Sequence, residues 1–185
     1  VGRFVALLRG INVGGKNLIR MPDLAACFTE AGYADVRTYI QSGNVLFGAD
    51  RDERPVSGQA LERAIEDALT ATFDLRLRVV VRSHTELTAT VASAPDGFGW
   101  PDRRCDVLFL KHPATADEAL AALPDLAEGV DRVWPGPDAL YFARLTAKAT
   151  RSRLNRVIGA PIYQQMTIRN WNTTSKLLAL LDGQP

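Results

Sequence analysis

The chain has 185 residues, 46% apolar and 23% charged, with a net charge of +1, the balance of a folded globular protein rather than a disordered one. No apolar run approaches the roughly 20 residues a membrane helix needs, and "FVALL", set between Arg3 and Arg9, is too short for a secretory leader. Cys27 and Cys105 are too few for a disulfide framework; with no leader they point to a cytoplasmic setting and to no membrane partner.

In chain order, Arg3 to Arg9 reads as a strand. Pro22 and Asp23 open a helix whose apolar stripe is Leu24, Phe28 and Ala31, and Gly32 ends it. "VRTYI" and "NVLF" are two strands joined by the turn "QSGN", where Gly43 tolerates positive φ. A helix follows from about Gly58 to Phe73, with Leu61, Ile65, Leu69 and Phe73 at steps of four. In "LRLRVVVR", Leu75, Leu77, Val79 and Val81 alternate with Arg76, Arg78 and Arg82, the period of a strand with one buried face. The order is β-α-β-β-α-β, the ferredoxin-like plait.

Ser83 and Glu86 form a capping box for a short helix. "APDGFGWPDRR", rich in proline and glycine, reads as a linker. The pattern then recurs. "CDVLFL" is a strand, and Thr115 with Glu118 caps a helix carrying Leu120 and Leu123. "VDRVW" and "ALYFA" flank the turn "PGPD", "TRSRLNRVIG" is a helix, "YQQMTIRN" is a strand, and Asn172 caps a last helix with Leu177, Leu178 and Leu181. The expected architecture is α+β. Two ferredoxin-like units, 1–93 and 105–185, are joined by a linker at 94–104, and the second carries an added C-terminal helix. "FVALL" and "VLFL" are apolar at every position, so both sheet faces need cover, from the other unit or from a second chain in a homo-oligomer.

Charge is unevenly distributed. From Ala139 to Leu181 there is no acidic residue, while Arg144, Lys148, Arg151, Arg153, Arg156, Arg169 and Lys176 are all basic. Such a block points to an anionic partner, either phosphate or nucleic acid.

"RGINVGGKN" (Arg9 to Asn17) follows the first strand and spells G-x-x-x-x-G-K, one letter from a phosphate-binding P-loop. Asn17 stands where the magnesium-holding hydroxyl belongs, the helix signal arrives only at Pro22, and the strands are antiparallel. It is not a P-loop. Gly10, Gly14 and Gly15 still permit close backbone approach, beside Arg9 and Lys16 and the amides of Asn12 and Asn17, which is equipment for holding an anion.

"ALLRGINVGGKN" (Ala6 to Asn17), "TYIQSGNVLF" (Thr38 to Phe47), "SRLNRVIGAPIYQ" (Ser152 to Gln164) and "TIRNWNTTSKLL" (Thr167 to Leu178) together resemble the bacterial family catalogued as domain of unknown function 1697. The likeness runs essentially from end to end. It implies a two-part α+β plait and no activity, the family's biochemistry being unassigned. "GADRDERPVSG" and "APDGFGWPDRR" look peculiar to this chain.

Within the last block, Asn172 is expected to cap the helix and Trp171 to pack as a wedge, leaving Arg169 and Asn170 as free donors. The glycine loop and the "QSGN" turn are expected at opposite ends of the first sheet. His84 and His112 lack partners at metal spacing, so no metal site is expected, nor any cofactor. Cys27 and Cys105 are expected to be buried and inert. No catalytic residue can be named. "NVLFG" does not match the signature of an RNA-recognition strand, and Arg76, Arg78 and Arg82 are read as guarding an edge strand. The leading expectation is a small anionic or phosphate-bearing ligand held by Arg9, Asn12, Gly14, Gly15, Lys16 and Asn17, with Arg169 and Asn170. The alternatives are RNA binding through Arg144, Lys148, Arg151, Arg153 and Arg156, which is less favoured, and an interaction module without a ligand.

Overall fold

The structure, a computed structural model, describes residues 2–49 and 58–184; residues 50–57 of the chain-specific stretch "GADRDERPVSG" lie outside them. Contacts divide the chain into two compact units, Val1–Leu87 with Leu177–Pro185, and Thr88–Lys176.

In the first unit, β1 (Gly2–Arg9), α1 (Met21–Glu30), β2 (Ala34–Tyr39), β3 (Asn44–Ala49), α2 (Gly58–Phe73) and β4 (Arg78–Ser83) follow one another, then α3 (His84–Ala92) begins. The sheet order is β2-β3-β1-β4, all pairs antiparallel, which is the ferredoxin-like plait. Phe4, Ala6 and Leu8 of β1 face a core shared with Val45, Phe47, Val79, Val81 and the helix residues Leu24, Phe28, Leu61, Ile65 and Leu69. Phe28, Tyr33 and Phe47 pack tilted or edge-on to one another, at 4.8–5.7 Å between centroids. Val5, Leu7 and Val80, on the other face, are buried too. Part of the cover there is the chain's own C-terminal segment. Arg3 donates from Nη1 to the Leu181 carbonyl, and Arg37 from Nη2 to the Leu180 carbonyl at 3.1 Å.

The strand expected from Leu75 begins only at Arg78, and Arg82, expected to face solvent, is completely buried. Its Nη1 lies 3.9 Å from Oε1 of Glu62, itself fully buried on α2. β4 is an edge strand, as expected, but glutamates guard it more directly than arginines. Glu66 Oε1 accepts the Val79 N–H at 2.8 Å and Glu62 Oε1 accepts the Val81 N–H at 3.1 Å. Four residues of helix rise about 6 Å and two of strand about 6.6 Å, so the carboxylates match the strand's outward N–H groups.

The second unit repeats the order with β5 (Arg103–Leu110), α4 (Ala116–Ala121), β6 (Asp131–Gly136), β7 (Ala139–Leu145), α5 (Leu154–Gly159) and β8 (Met166–Asn170), followed by α6 (Trp171–Leu181). Its sheet order is β6-β7-β5-β8. The Ser83–Glu86 and Thr115–Glu118 capping boxes both form. The helix expected over "TRSRLNRVIG" is broken into a 3-10 segment, Thr146–Arg151, and the six-residue α5. A second 3-10 segment, Pro161–Gln165, replaces the start of the expected last strand. The cap of α6 is Asn170, not Asn172: its Oδ1 accepts the Thr173 N–H at 2.8 Å. The reason is that β8 stays paired to β5 as far as Asn170, opposite Asp106, and turns straight into the helix. None of the described helices is long and apolar enough to cross a membrane.

Candidate functional site

The glycine loop folds back on itself as a short finger. The Asn12 N–H donates to Asn17 O and the Lys16 N–H to Val13 O, each at 3.1 Å. Gly14 (φ 58°) and Gly15 (φ 73°) occupy the turn, where a hairpin of this kind requires two positive φ values. Asn12 Nδ2 donates to Ile19 O (2.9 Å) and Gln41 O (3.0 Å), and its Oδ1 accepts the Ile19 N–H (2.9 Å). Asn17 Nδ2 donates to Gly10 O at 2.9 Å. Both asparagine side chains therefore hold the loop's own backbone. Lys16 is exposed at the tip, and Arg9, half-buried, sits opposite Arg78 in the ladder.

The bond from Asn12 to Gln41 corrects the expectation that this loop and the "QSGN" turn lie at opposite ends. Both β1 and β2 pair antiparallel with β3, so they run the same way and their C-terminal ends share one edge. Gly43 (φ 81°) packs under the loop: a Cβ there would meet Ile11 Cδ1 at 2.8 Å.

A second concavity lies in the second unit. Along β5, Leu110, Leu108, Asp106 and Arg104 point to the same face, and Leu140, Phe142 and Arg144 lie opposite on β7. The apolar part of that face is the core, with Val157 and Met166. In the first unit the corresponding helix, α2, is 16 residues long; here α5 has six and cannot cover the sheet's end. What remains open is a cleft of about 480 Å³ with Arg103, Arg104, Asp106 and Arg144 on the strands and Trp100, Asn170 and Asn172 on its rim.

Asp106 is only 8% exposed, and Arg144 Nη1 stands 3.3 Å from its Oδ2. Burial pushes its carboxyl above the usual range, against the opposing pull of Arg144 and Arg104. Beside it, the Sγ of Cys105 accepts the Gly99 N–H at 3.1 Å, and burial raises the thiol, which disfavours the thiolate. Cys27 is buried as well. Trp171 packs edge-on to Phe98 at 5.1 Å, the wedge its sequence implied. Trp100 is 61% exposed at the cleft's mouth. The first turn of the eleven-residue α6 borders the cleft, adding the positive end of a helix dipole. Two or three guanidinium groups, a helix N-terminus and an exposed indole can hold an anion carrying a flat ring; Asp106 can exchange a proton beside it.

The remaining basic residues are dispersed. Arg169 is not a free donor. Its Nη1 donates to Thr167 Oγ1 (3.1 Å) and to the Ile168 carbonyl (2.8 Å), and burial lowers its guanidinium to about 10. Arg169 stands on the strand face opposite to Asn170. Arg153 Nη1 donates to the Leu126 carbonyl at 3.3 Å, while its N–H donates to Asp131 at 2.8 Å. Lys148, Arg151 and Arg156 are exposed on the two short helical segments. Asp106, Arg104 and Trp100 were not singled out from sequence. The signal was there: "RRCDVLFL" places Arg104 and Asp106 on the alternating positions that continue as Leu108 and Leu110.

No curated protein matches the chain. It is similar to a solved structure, the conserved bacterial protein SP0830 from Streptococcus pneumoniae, at 25% identity with a TM-score of 0.83, over 97% of this chain and 98% of that one. The profile of a family described as a protein of unknown function, DUF1697, matches residues 1–141; the blocks Ser152–Gln164 and Thr167–Leu178 lie beyond that match. The matched span is most of the chain, and the protein belongs to the DUF1697 family.

Proposed function

We propose that this protein binds a small anionic ligand, and that the ligand sits in the cleft of the second unit rather than on the glycine finger. The observation that carries this reading is the juxtaposition of Arg104 and Arg144 on adjacent strands over a nearly buried Asp106, in a concavity of about 480 Å³. That volume suits a ligand the size of a sugar phosphate or nucleoside monophosphate. The finger, by contrast, turns its two asparagines inward and leaves Lys16 at a convex tip. RNA binding through residues 144–156 has weaker support, because Arg153 is tied to Leu126 and the exposed Lys148, Arg151 and Arg156 are spread over two short helical segments.

The test is a thermal-shift and calorimetric screen of inorganic phosphate, a sugar phosphate, AMP and citrate, repeated on Arg104→Ala, Arg144→Ala and Lys16→Ala. A ligand at a hundredfold excess over its Kd should raise Tm by about 5–11 °C. Losing one guanidinium–anion contact should weaken binding by roughly tenfold or more. Stabilisation lost in Lys16→Ala but kept in both arginine variants would place the anion on the finger and defeat this reading.

A further inference from the structure

The finger and the "QSGN" turn share one end of the first unit, and that end is oddly apolar. Val13 is 65% exposed, Leu18 73% and Ile40 48%. Between the finger, the β2–β3 turn and the start of α1 lies a groove of about 420 Å³ lined by Leu18, Met21, Pro22, Asn12, Gln41 and Arg20. Asn12, bonded to both Ile19 and Gln41, fixes the two sides of that groove to each other.

Ile40 adds a second observation. Its φ is 50°, and among the described residues it is the one β-branched side chain in the left-handed region; the other non-glycine positions there are Asn or Asp. A branched Cβ disfavours that conformation, which Asn or Gly adopts freely. About half of the Ile40 surface is in solvent. Strain of this kind collects where a side chain is needed for an external contact.

The charges around the patch have one sign. There is no acidic residue from Gly2 to Pro22 or from Val36 to Ala49, while Arg9, Lys16 and Arg20 lie on or beside the finger. Asp23 pairs with Arg20, at 2.9 Å in each of two hydrogen bonds.

We infer that this end is a docking surface for an acidic polypeptide segment that seats one bulky apolar side chain in the groove between Leu18 and Met21 and sets its carboxylates against Lys16 and Arg20. The volume admits a side chain of Leu or Phe size, and the basic rim selects an acidic neighbour over a neutral or basic one. The finger's negative-charge preference then lies in a partner's carboxylates, at a place separate from the cleft of the second unit.

The experiment uses the full chain and two synthetic twelve-residue peptides, one with Leu and Phe interspersed with Glu, the other with every Glu replaced by Lys. Binding is read by fluorescence anisotropy and by backbone amide shifts. The acidic peptide should bind at least about tenfold tighter than the basic one, with shifts confined to residues 12–22 and 39–43. Leu18→Ser and Lys16→Glu should each weaken it about tenfold. Ile40→Asn should do the same while raising Tm by about 2–8 °C, since the strained conformation suits asparagine. Equal binding of the two peptides, no binding of the acidic one at millimolar concentration, or an Ile40→Asn variant with full affinity would each overturn the inference. So would tight Leu18-dependent binding to phosphatidylglycerol vesicles in place of the acidic peptide.

Discussion

Replacing Glu62 by Leu removes two things at once. The carboxylate accepts the Val81 N–H of the edge strand at 3.1 Å and stands 3.9 Å from the Arg82 guanidinium, with both side chains fully buried. Breaking a buried pair by removing one partner costs about 3–5 kcal/mol, because the remaining charge stays out of water. For a chain of this size that corresponds to a fall in Tm of roughly 6–20 °C. Glu66→Leu is the internal comparison. It removes the neighbouring bond to the Val79 N–H at 2.8 Å from a half-buried position, at a cost of about 1.5–3 kcal/mol. Urea denaturation of the wild type and the two variants measures the difference, and hydrogen exchange at Val79 and Val81 reads the strand edge directly. The reasoning fails if Glu62→Leu costs no more than Glu66→Leu. It fails equally if the Val81 amide exchanges no faster in the Glu62 variant once global stability is allowed for.

Asp106→Asn tests the cleft's electrostatics. Burial raises the carboxyl's folded-state value above its unfolded one, so folding takes up a proton, and this group's contribution to stability grows as pH falls through the folded value toward about 3.9. The Asn variant should lose that rise in a Tm-against-pH series and should bind the cleft's anion more tightly at neutral pH; parallel Tm curves would contradict the assignment. Gly99→Ala should destabilise the chain by about 1–3 kcal/mol, since a Cβ would stand 2.6 Å from Trp171 Cδ1 at a residue with φ +91°. Its near-UV circular dichroism should change with the displaced indole, and an unchanged Tm and spectrum would show that this wall of the cleft is looser than the contact requires.

Much of the fold was legible because period and punctuation agree in this chain. Leu61, Ile65 and Leu69 at steps of four gave α2 its bounds, and the two capping boxes formed where Ser83 and Thr115 stand three residues before a glutamate. Where reading failed, tertiary context decided. "LRLRVVVR" alternates except at Val80, but alternation cannot tell a solvent-facing arginine from one that meets a carboxylate on a helix, and Arg82 is the latter. Asn172 has the chemistry of a cap, yet the ladder from β5 carries β8 to Asn170, and the residue that ends the strand becomes the cap. The misplacement of the "QSGN" turn was an error of direction rather than of pattern: a helix that returns the chain leaves β1 and β2 parallel in sense, so their following loops are neighbours.

The candidate cleft depends on a comparison that no local window contains. The same β-α-β-β-α-β order occurs twice, and a sheet of four strands needs a helix of α2's length to close its helix-bearing face. Sixteen residues do so in the first unit; in the second, the basic stretch after β7 divides into a 3-10 segment and a six-residue helix. An apolar sheet end left open in this way would be a liability, and this one is not apolar: Arg104, Asp106, Arg144 and Asn170 stand where Leu108, Leu140 and Ile168 stand one or two steps further along the same strands. A polar lining there has a bland explanation, since an exposed face must be soluble. Solubility alone does not account for a carboxylate whose side chain is only 12% exposed and stands 3.3 Å from an arginine, because an exposed rim can carry its charges without that desolvation cost. That cost is what the proposed binding of an anion beside Arg104 and Arg144 would offset.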